Sequence, residues 1–224
     1  MDPIAQLALA AAAFLAAHFV SSTPLREALV GKIGEKTYLA LYSLAAFAAL
    51  AWMVWAYRQS PVQPLWPGAK LLPTIVMPFA LILLVGGVLG KNPTAVGQGG
   101  LLRGADPVRG MLRITRHPVM WAIMLWAATH LLARGSLKGA IFFGSFLVLA
   151  ALGTRLIDAR RARALGADWQ RFAARTSNLP FAAIVQGRNR FAAGEIGLLA
   201  ALSGLILYGG LLIGHAWLFG LRPY

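Results

Sequence analysis

Residues 118–157 read PVMWAIMLWAATHLLARGSLKGAIFFGSFLVLAALGTRLI. The first run, Pro118–Ala133, carries no Lys, Arg, Asp or Glu, and the second, Leu137–Ile157, carries only Lys138 and Arg155. A membrane-spanning helix needs about 20 mostly apolar residues, with roughly 17 as a floor. Arg134-Gly135-Ser136 leaves room for nothing but a tight turn between the two runs, so the stretch predicts a helical hairpin. In hydrocarbon every backbone N–H and C=O must be satisfied within the segment, which makes each run an α-helix.

Working outward, four further apolar segments have the same character, near Ile4–Val20, Tyr38–Tyr57, Leu71–Gly90 and Ile196–Phe219. The fold expected is all-α, a polytopic transmembrane helical bundle of about six spans, forming one domain over residues 1–224. Composition agrees: 58% of residues are hydrophobic and 12% charged, against about 25% charged in a soluble domain. Met1-Asp2-Pro3 offers no basic lead-in to the first apolar run, so that run is read as a retained span rather than a secretory signal.

The chain holds 21 Lys and Arg against 7 Asp and Glu, a net charge of +14. Such a charge can serve nucleic acid, but no nucleic-acid motif accompanies it. The basic residues sit in short connections between apolar runs, where they face anionic lipid. The partner expected is therefore membrane lipid, and no nucleic acid. Of the 21, 16 fall in the three connections that would share one side, and 5 (Arg58, Lys70, Arg134, Lys138 and Arg222) on the other. By the positive-inside rule both termini face away from the cytoplasm.

The connections have character of their own. Ser22-Thr23-Pro24 is a helix start, predicting a short interfacial helix that ends near Gly31 or Gly34. Loop 91–112, rich in Gly, Asn and Pro, reads as irregular. Segment 155–175 sets Arg160, Arg161, Arg163 and Arg171 among Leu165, Trp169 and Phe172. It reads as a basic amphipathic helix, continuing the fifth span or lying on the membrane surface.

The absence of cysteine excludes disulfides, a thiolate nucleophile and Cys-ligated metal. Three acids have a claim to a role, Asp106, Asp158 and Asp168, all in segments predicted to be cytoplasmic. Asp158 is expected to pair with Arg160, Arg161 or Arg116. No paired intramembrane carboxylate, phosphate-cradling Gly loop or HExxH motif is present. What remains is four histidines, His18, His117, His130 and His215, in an apolar bundle. Neutral imidazole is a good axial ligand for haem iron, and helix bundles hold haem between facing side chains. Arg113 and Arg116, at the membrane edge, are placed to pair with propionates. The competing reading is that each histidine bonds locally, and it weighs most for His215 near the end of the last span.

The stretch Arg113-Ile114-Thr115-Arg116-His117-Pro118, followed by Trp121, Trp126 and His130-Leu131-Leu132, resembles the core signature of the NnrU family. Ala17-His18, Leu29-Val30 through Gly34-Glu35, Leu41-Tyr42-Ser43-Leu44, Asn92-Pro93-Thr94, Asp158-Ala159-Arg160-Arg161 with Gly166 and Trp169, and Thr176–Phe181 extend the resemblance over roughly residues 1–190. The resemblance implies a multi-pass protein of a bacterial inner (plasma) membrane, with a name linked to nitrogen-oxide respiration and denitrification. It also implies kinship with a plant haem b enzyme, the 15-cis-zeta-carotene isomerase, which isomerises a cis double bond of a lipophilic polyene without net redox change. On that kinship haem b is the cofactor and His18 and His130 are its metal ligands. Ala127 stands where a thiolate ligand would be implied, so a His/Cys ligand exchange is excluded.

Depth across the membrane gives a second reading of the ligands. His18 closes the first span and His117 opens the fourth, whereas His130 lies 13 residues further on, roughly 20 Å at 1.5 Å per residue. Depth favours His18 with His117; the resemblance favours His18 with His130, which ranks first.

Arg116-His117-Pro118 with Leu165-Gly166, Trp169, Phe172 and Pro180 is also similar to isoprenylcysteine carboxyl methyltransferases, which bind S-adenosylmethionine. Here Asp158 alone stands for their paired acids, and Met120 and Ala122 replace their glycine and aromatic. The expected function is a haem b membrane protein, acting as an isomerase or in nitrogen-oxide respiration. The alternatives are a membrane methyltransferase and a cofactor-free structural or assembly protein. The topology is testable: reporter fusions should place loops 91–117 and 158–193 in the cytoplasm, and an external signal from either overturns the orientation.

Overall fold

The computed structural model describes residues 1–95, 98–103 and 108–223, and Asp106 therefore lies outside the described residues. The helices, in chain order, are Pro3–Phe19 (α1), Pro24–Ile33 (α2), Glu35–Gln59 (α3), Leu71–Leu89 (α4), Met111–Ile114 (α5), Pro118–Arg134 (α6), Leu137–Leu165 (α7), Ala167–Arg175 (α8), Ala182–Val185 (α9), Ala193–Ile196 (α10) and Leu198–Phe219 (α11). No strand occurs among the described residues; Pro64 and Ser136 form one isolated bridge. The protein is an all-α, polytopic membrane protein.

Among the described residues, five helices are long and apolar enough to cross a membrane: Pro3–Ser22, counting the 3-10 turn after α1, then α3, α4, α7 and α11. The remaining expected span, the fourth, is α6, which has 17 residues, about 25 Å of rise against a hydrocarbon core of about 30 Å. The interfacial helix begins at Pro24 as expected and ends at Gly34, whose φ of 80° closes it. The basic segment divides at Gly166: residues 155–165 continue α7, and 167–175 form α8.

The chain divides into two compact units, Met1–Ala69 with Ala127–Gly153, and Lys70–Trp126 with Thr154–Tyr224. In the first, α1 packs on α3. Leu7, Ala10, Ala11 and Phe14 meet Met53 and Ala56, with Phe142, Phe146 and Leu149 of α7 against them. The hairpin turn behaves as its sequence requires. Gly135 has φ of 53°, and a Cβ there would lie 2.2 Å from the Trp66 carbonyl, so no other residue fits. Its own carbonyl accepts from Leu65 N and Trp66 N, and Leu137 N donates to the Gln63 carbonyl. Lys138 is almost wholly buried rather than a loop anchor. Its Nζ donates to the Ser60 carbonyl at 2.8 Å and sits 4.9 Å over the Tyr57 ring, neutralising the carbonyl end of α3.

In the second unit α4 packs on α11. Contact is close at Gly204, where a Cβ would lie 2.8 Å from the Ile82 Cα, as small residues permit in membrane helices. Pro78 sits inside α4, and its missing N–H leaves the carbonyl of Thr74, four residues earlier, without a helical donor. Tyr208 of α11 supplies one, its hydroxyl donating to the Thr74 carbonyl at 2.9 Å. An interhelical hydrogen bond in a membrane averages about 0.6 kcal/mol and reaches about 1.7. Tyr208→Phe should therefore lower stability by about 1 kcal/mol in detergent melts. In a Pro78→Ala background, where the restored backbone N–H serves the Thr74 carbonyl, the same change should be nearly silent; additive losses would refute the pairing.

Candidate functional site

Stretches far apart in sequence meet around the Arg116-His117-Pro118 turn in the second unit. Thr115 is fully buried in extended conformation, φ −153°, because the end of α5 precedes it and Pro118 opens α6 just beyond. Its hydroxyl donates to the Asn178 carbonyl at 2.6 Å and accepts from His117 N at 3.2 Å. Arg116 N donates to the Ser177 carbonyl, and Phe181 N to that of Ile114. The Thr94 hydroxyl donates to the Arg116 carbonyl at 2.9 Å, and Asn92 Oδ1 accepts from Thr94 N and Oγ1. Trp121 Nε1 donates to the Asn178 carbonyl at 2.8 Å, and Asn178 Nδ2 to Thr154 Oγ1 at 2.8 Å. Asn92–Thr94, Arg116–Trp121, Thr154–Asp158 and Thr176–Asn178 thus form one polar cluster.

Asp158 is its centre. Arg116 donates from Nε to both carboxylate oxygens, at 3.1 and 3.0 Å, and from Nη2 to Oδ2. The Arg116 guanidinium also lies 5.8 Å over the Trp169 ring. His117, 1% exposed, meets Asp158 Oδ1 through Nε2 at 2.7 Å. Since the carboxylate accepts, the proton of this contact is assigned to Nε2. Nδ1 is enclosed, with no hydrogen-bond partner among the described residues. A carboxylate-held imidazole is how ligand and general-base histidines are oriented. In this conformation, however, protein atoms close over the remaining nitrogen.

Arg113 has its own anion. Its Nε and Nη2 each reach Glu195 at 2.7 Å, and Gly110 N donates to the same carboxylate at 3.1 Å. The hydrogen bond from Arg113, then that from Gly110, holds the Glu195 carboxyl down from 4.5 to about 2. Because the folded value is depressed, this clasp stabilises fully above pH 4.5 and is lost as the pH falls toward 2. The anions against Arg113 and Arg116 are therefore the protein's own, and neither arginine requires a propionate.

The expected amphipathic face of α8 is turned inward. Trp169 and Phe172 are buried against Leu102, Val108 and Leu112, so the helix packs on protein rather than lipid. Arg188, counted among the loop cations, donates from Nη1 to the carbonyls of Ala174 and Thr176, each at 2.7 Å, at the end of α8.

In the first unit, His18 and His130 are both half-buried. His18 Nδ1 bonds the Phe14 carbonyl at 2.7 Å; its ring lies 4.4 Å from Phe14 and 6.3 Å from Tyr42. The His130 ring lies 5.4 Å from that of Phe143, tilted by 34°. Helix rise sets the two histidines at different depths. Pro3 meets Ser60, Ser60 meets Lys138, and Leu137 follows the Arg134 turn, so these residues share one end of the unit. From it His18 lies about 22 Å along α1 and His130 about 6 Å along α6 at 1.5 Å per residue. Four rings bridge the gap: Phe14 to Phe146 at 4.9 Å, Phe146 to Phe142 at 5.3 Å, Phe142 to Phe143 at 5.1 Å. Ala127, where the resemblance implies a thiolate, is completely buried. His215 bonds the Leu221 carbonyl through Nδ1 at 2.7 Å, a local cap on α11.

Sequence reasoning missed Glu195. The signal was available: a lone acid between Gly194 and Gly197, immediately before an apolar span. Asn178 and Thr115 stand within motifs, but their partners are not predictable from spacing.

Residues 6–223 match the family described as "NnrU protein". The chain is also 37% identical over 79 residues to the chloroplastic 15-cis-zeta-carotene isomerase of Arabidopsis thaliana, covering 35% of this chain and 22% of that relative. No solved structure matches it.

Asp158→Asn should remove the negative charge shared by Arg116 and His117, with one of the two acceptor oxygens, and leave a partly buried guanidinium uncompensated, costing about 3 kcal/mol. Thermal unfolding in detergent measures this. Arg116→Gln in the Asp158→Asn background should add little, and full additivity would show that the two side chains act independently.

Proposed function

The chain belongs to the NnrU family, and from that premise we propose that it is a membrane-embedded haem b protein that isomerises a double bond of a lipophilic polyene, in a bacterial inner membrane. The observation that carries this reading is the state of His18. Its Nδ1 is tied to the Phe14 carbonyl, which orients the ring and leaves Nε2 as the ligating nitrogen, the arrangement metal-binding histidines favour. The rings of Phe14, Tyr42 and Phe146 make its surroundings apolar and aromatic, suited to a porphyrin face or a conjugated chain.

The donor set fits the group at His18. Haem b bound there supplies an electronic centre for double-bond rotation without net redox change. The protein's part is to fix the imidazole through Phe14, exclude water with its aromatic wall and admit an apolar chain from the bilayer. His117 is a poorer ligand in this conformation because Asp158 holds one of its nitrogens and protein encloses the other. His130 is the second ligand the resemblance implies, although it stands about 16 Å from His18 in depth.

The methyltransferase alternative finds no support at Asp158. A cofactor ammonium or ribose needs a carboxylate acceptor, and both oxygens of Asp158 are taken by Arg116 and His117.

Protein purified in mild detergent should show a Soret band and acid-extractable haem b near one per chain. His18→Ala should abolish the band. His130→Ala should retain it if His18 binds alone, and its loss would mean that α1 and α6 close on one haem. His117→Ala should keep haem and lower stability. Full haem in both His18→Ala and His130→Ala ends this reading.

A further inference from the structure

The second unit contains a groove of about 700 Å³ that borders the polar cluster at Asn92 and Pro118 and has no histidine in its lining. Its walls include Gly87, Leu89, Lys91, Arg109, Glu195 and Leu199. Leu89 is 61% and Leu199 72% exposed, so one side of the groove is an open apolar edge on helices that span the membrane. Lys91 and Arg109 are exposed and supply its cationic side. Glu195, the one acid in the lining among the described residues, is already neutralised by the bidentate bond from Arg113. The groove therefore joins an apolar floor to a rim with two cations left over.

From that combination we infer that the groove binds one anionic phospholipid of the surrounding membrane, with its phosphate between Lys91 and Arg109 and an acyl chain along Leu89 and Leu199. Charge complementarity selects the head: a neutral or zwitterionic lipid leaves the pair of cations unmatched. The apolar edge selects a lipid over a free anion, because a soluble phosphate has no use for exposed leucines. The inference is independent of haem and of any isomerase activity.

The test is native mass spectrometry of the full chain released from mixed micelles containing equal phosphatidylglycerol and phosphatidylcholine. The wild type should retain one phosphatidylglycerol in preference to phosphatidylcholine. Lys91→Gln and Arg109→Gln should each lower that retention about five-fold, the usual worth of one basic side chain at an anionic surface, without changing the melting temperature. Leu199→Trp, at an exposed position that tolerates bulk, should lower retention with both cations intact. Equal retention of the two lipids, or undiminished phosphatidylglycerol in the two Gln variants, overturns the inference. So does displacement of the lipid by millimolar inorganic phosphate, or retention untouched by Leu199→Trp, either of which marks a free-anion surface.

Discussion

An arginine cannot give up its proton, so burying Arg116 at the edge of a membrane requires a fixed anion, and Asp158 is that anion. The rest of the second unit is organised around this pairing. One carboxylate receives Arg116 and His117 together, which ties the basic end of α7 to the turn that begins α6. The turn is then sutured to Thr176–Asn178 by backbone and hydroxyl bonds and to Thr94 from the preceding loop. Each of these bonds satisfies a polar group that would otherwise be stranded at low dielectric, where it would cost several times its worth in water. Polar residues this close to hydrocarbon are kept because each holds the next in place.

The spans are legible because hydropathy and length are local properties. Five of six expected segments are helices of membrane-crossing length, and the interfacial helix begins at Pro24 as its Ser-Thr-Pro start requires. The other, the fourth, is the helix α6 where expected but is 17 residues long, since Pro118 and Gly135 set its ends whatever the hydropathy window says. What local pattern does not give is partnership. Periodicity in 167–175 identifies an amphipathic helix but not what covers its apolar face, and Leu102, Val108 and Leu112 lie roughly 60 residues earlier. Arg113 and Arg116 are recognisable as needing anions. Arg116 is one of the three partners expected of Asp158, and the pair forms, but Glu195, 82 residues from Arg113, is hidden by distance along the chain.

The same limit governs the histidines. A family pattern reports which residues recur together, not which ones touch. His18 and His130 both belong to the motif, both are half-buried, and both sit against phenylalanine rings. Yet a run of four such rings connects them, and helix rise separates them by about 16 Å. A haem held by both residues would have to stand where this aromatic run now connects them, so the run would have to part. That demand is physically specific: Phe14, Phe142 and Phe146 belong to the packed core of α1, α3 and α7, and displacing them would empty contacts that hold the first unit together. His18 alone makes no such demand. Its orienting bond lies within α1, to the carbonyl one turn back, and survives whatever α6 does. The aromatic run then needs no displacement, and it stands beside the His18 imidazole as an apolar wall.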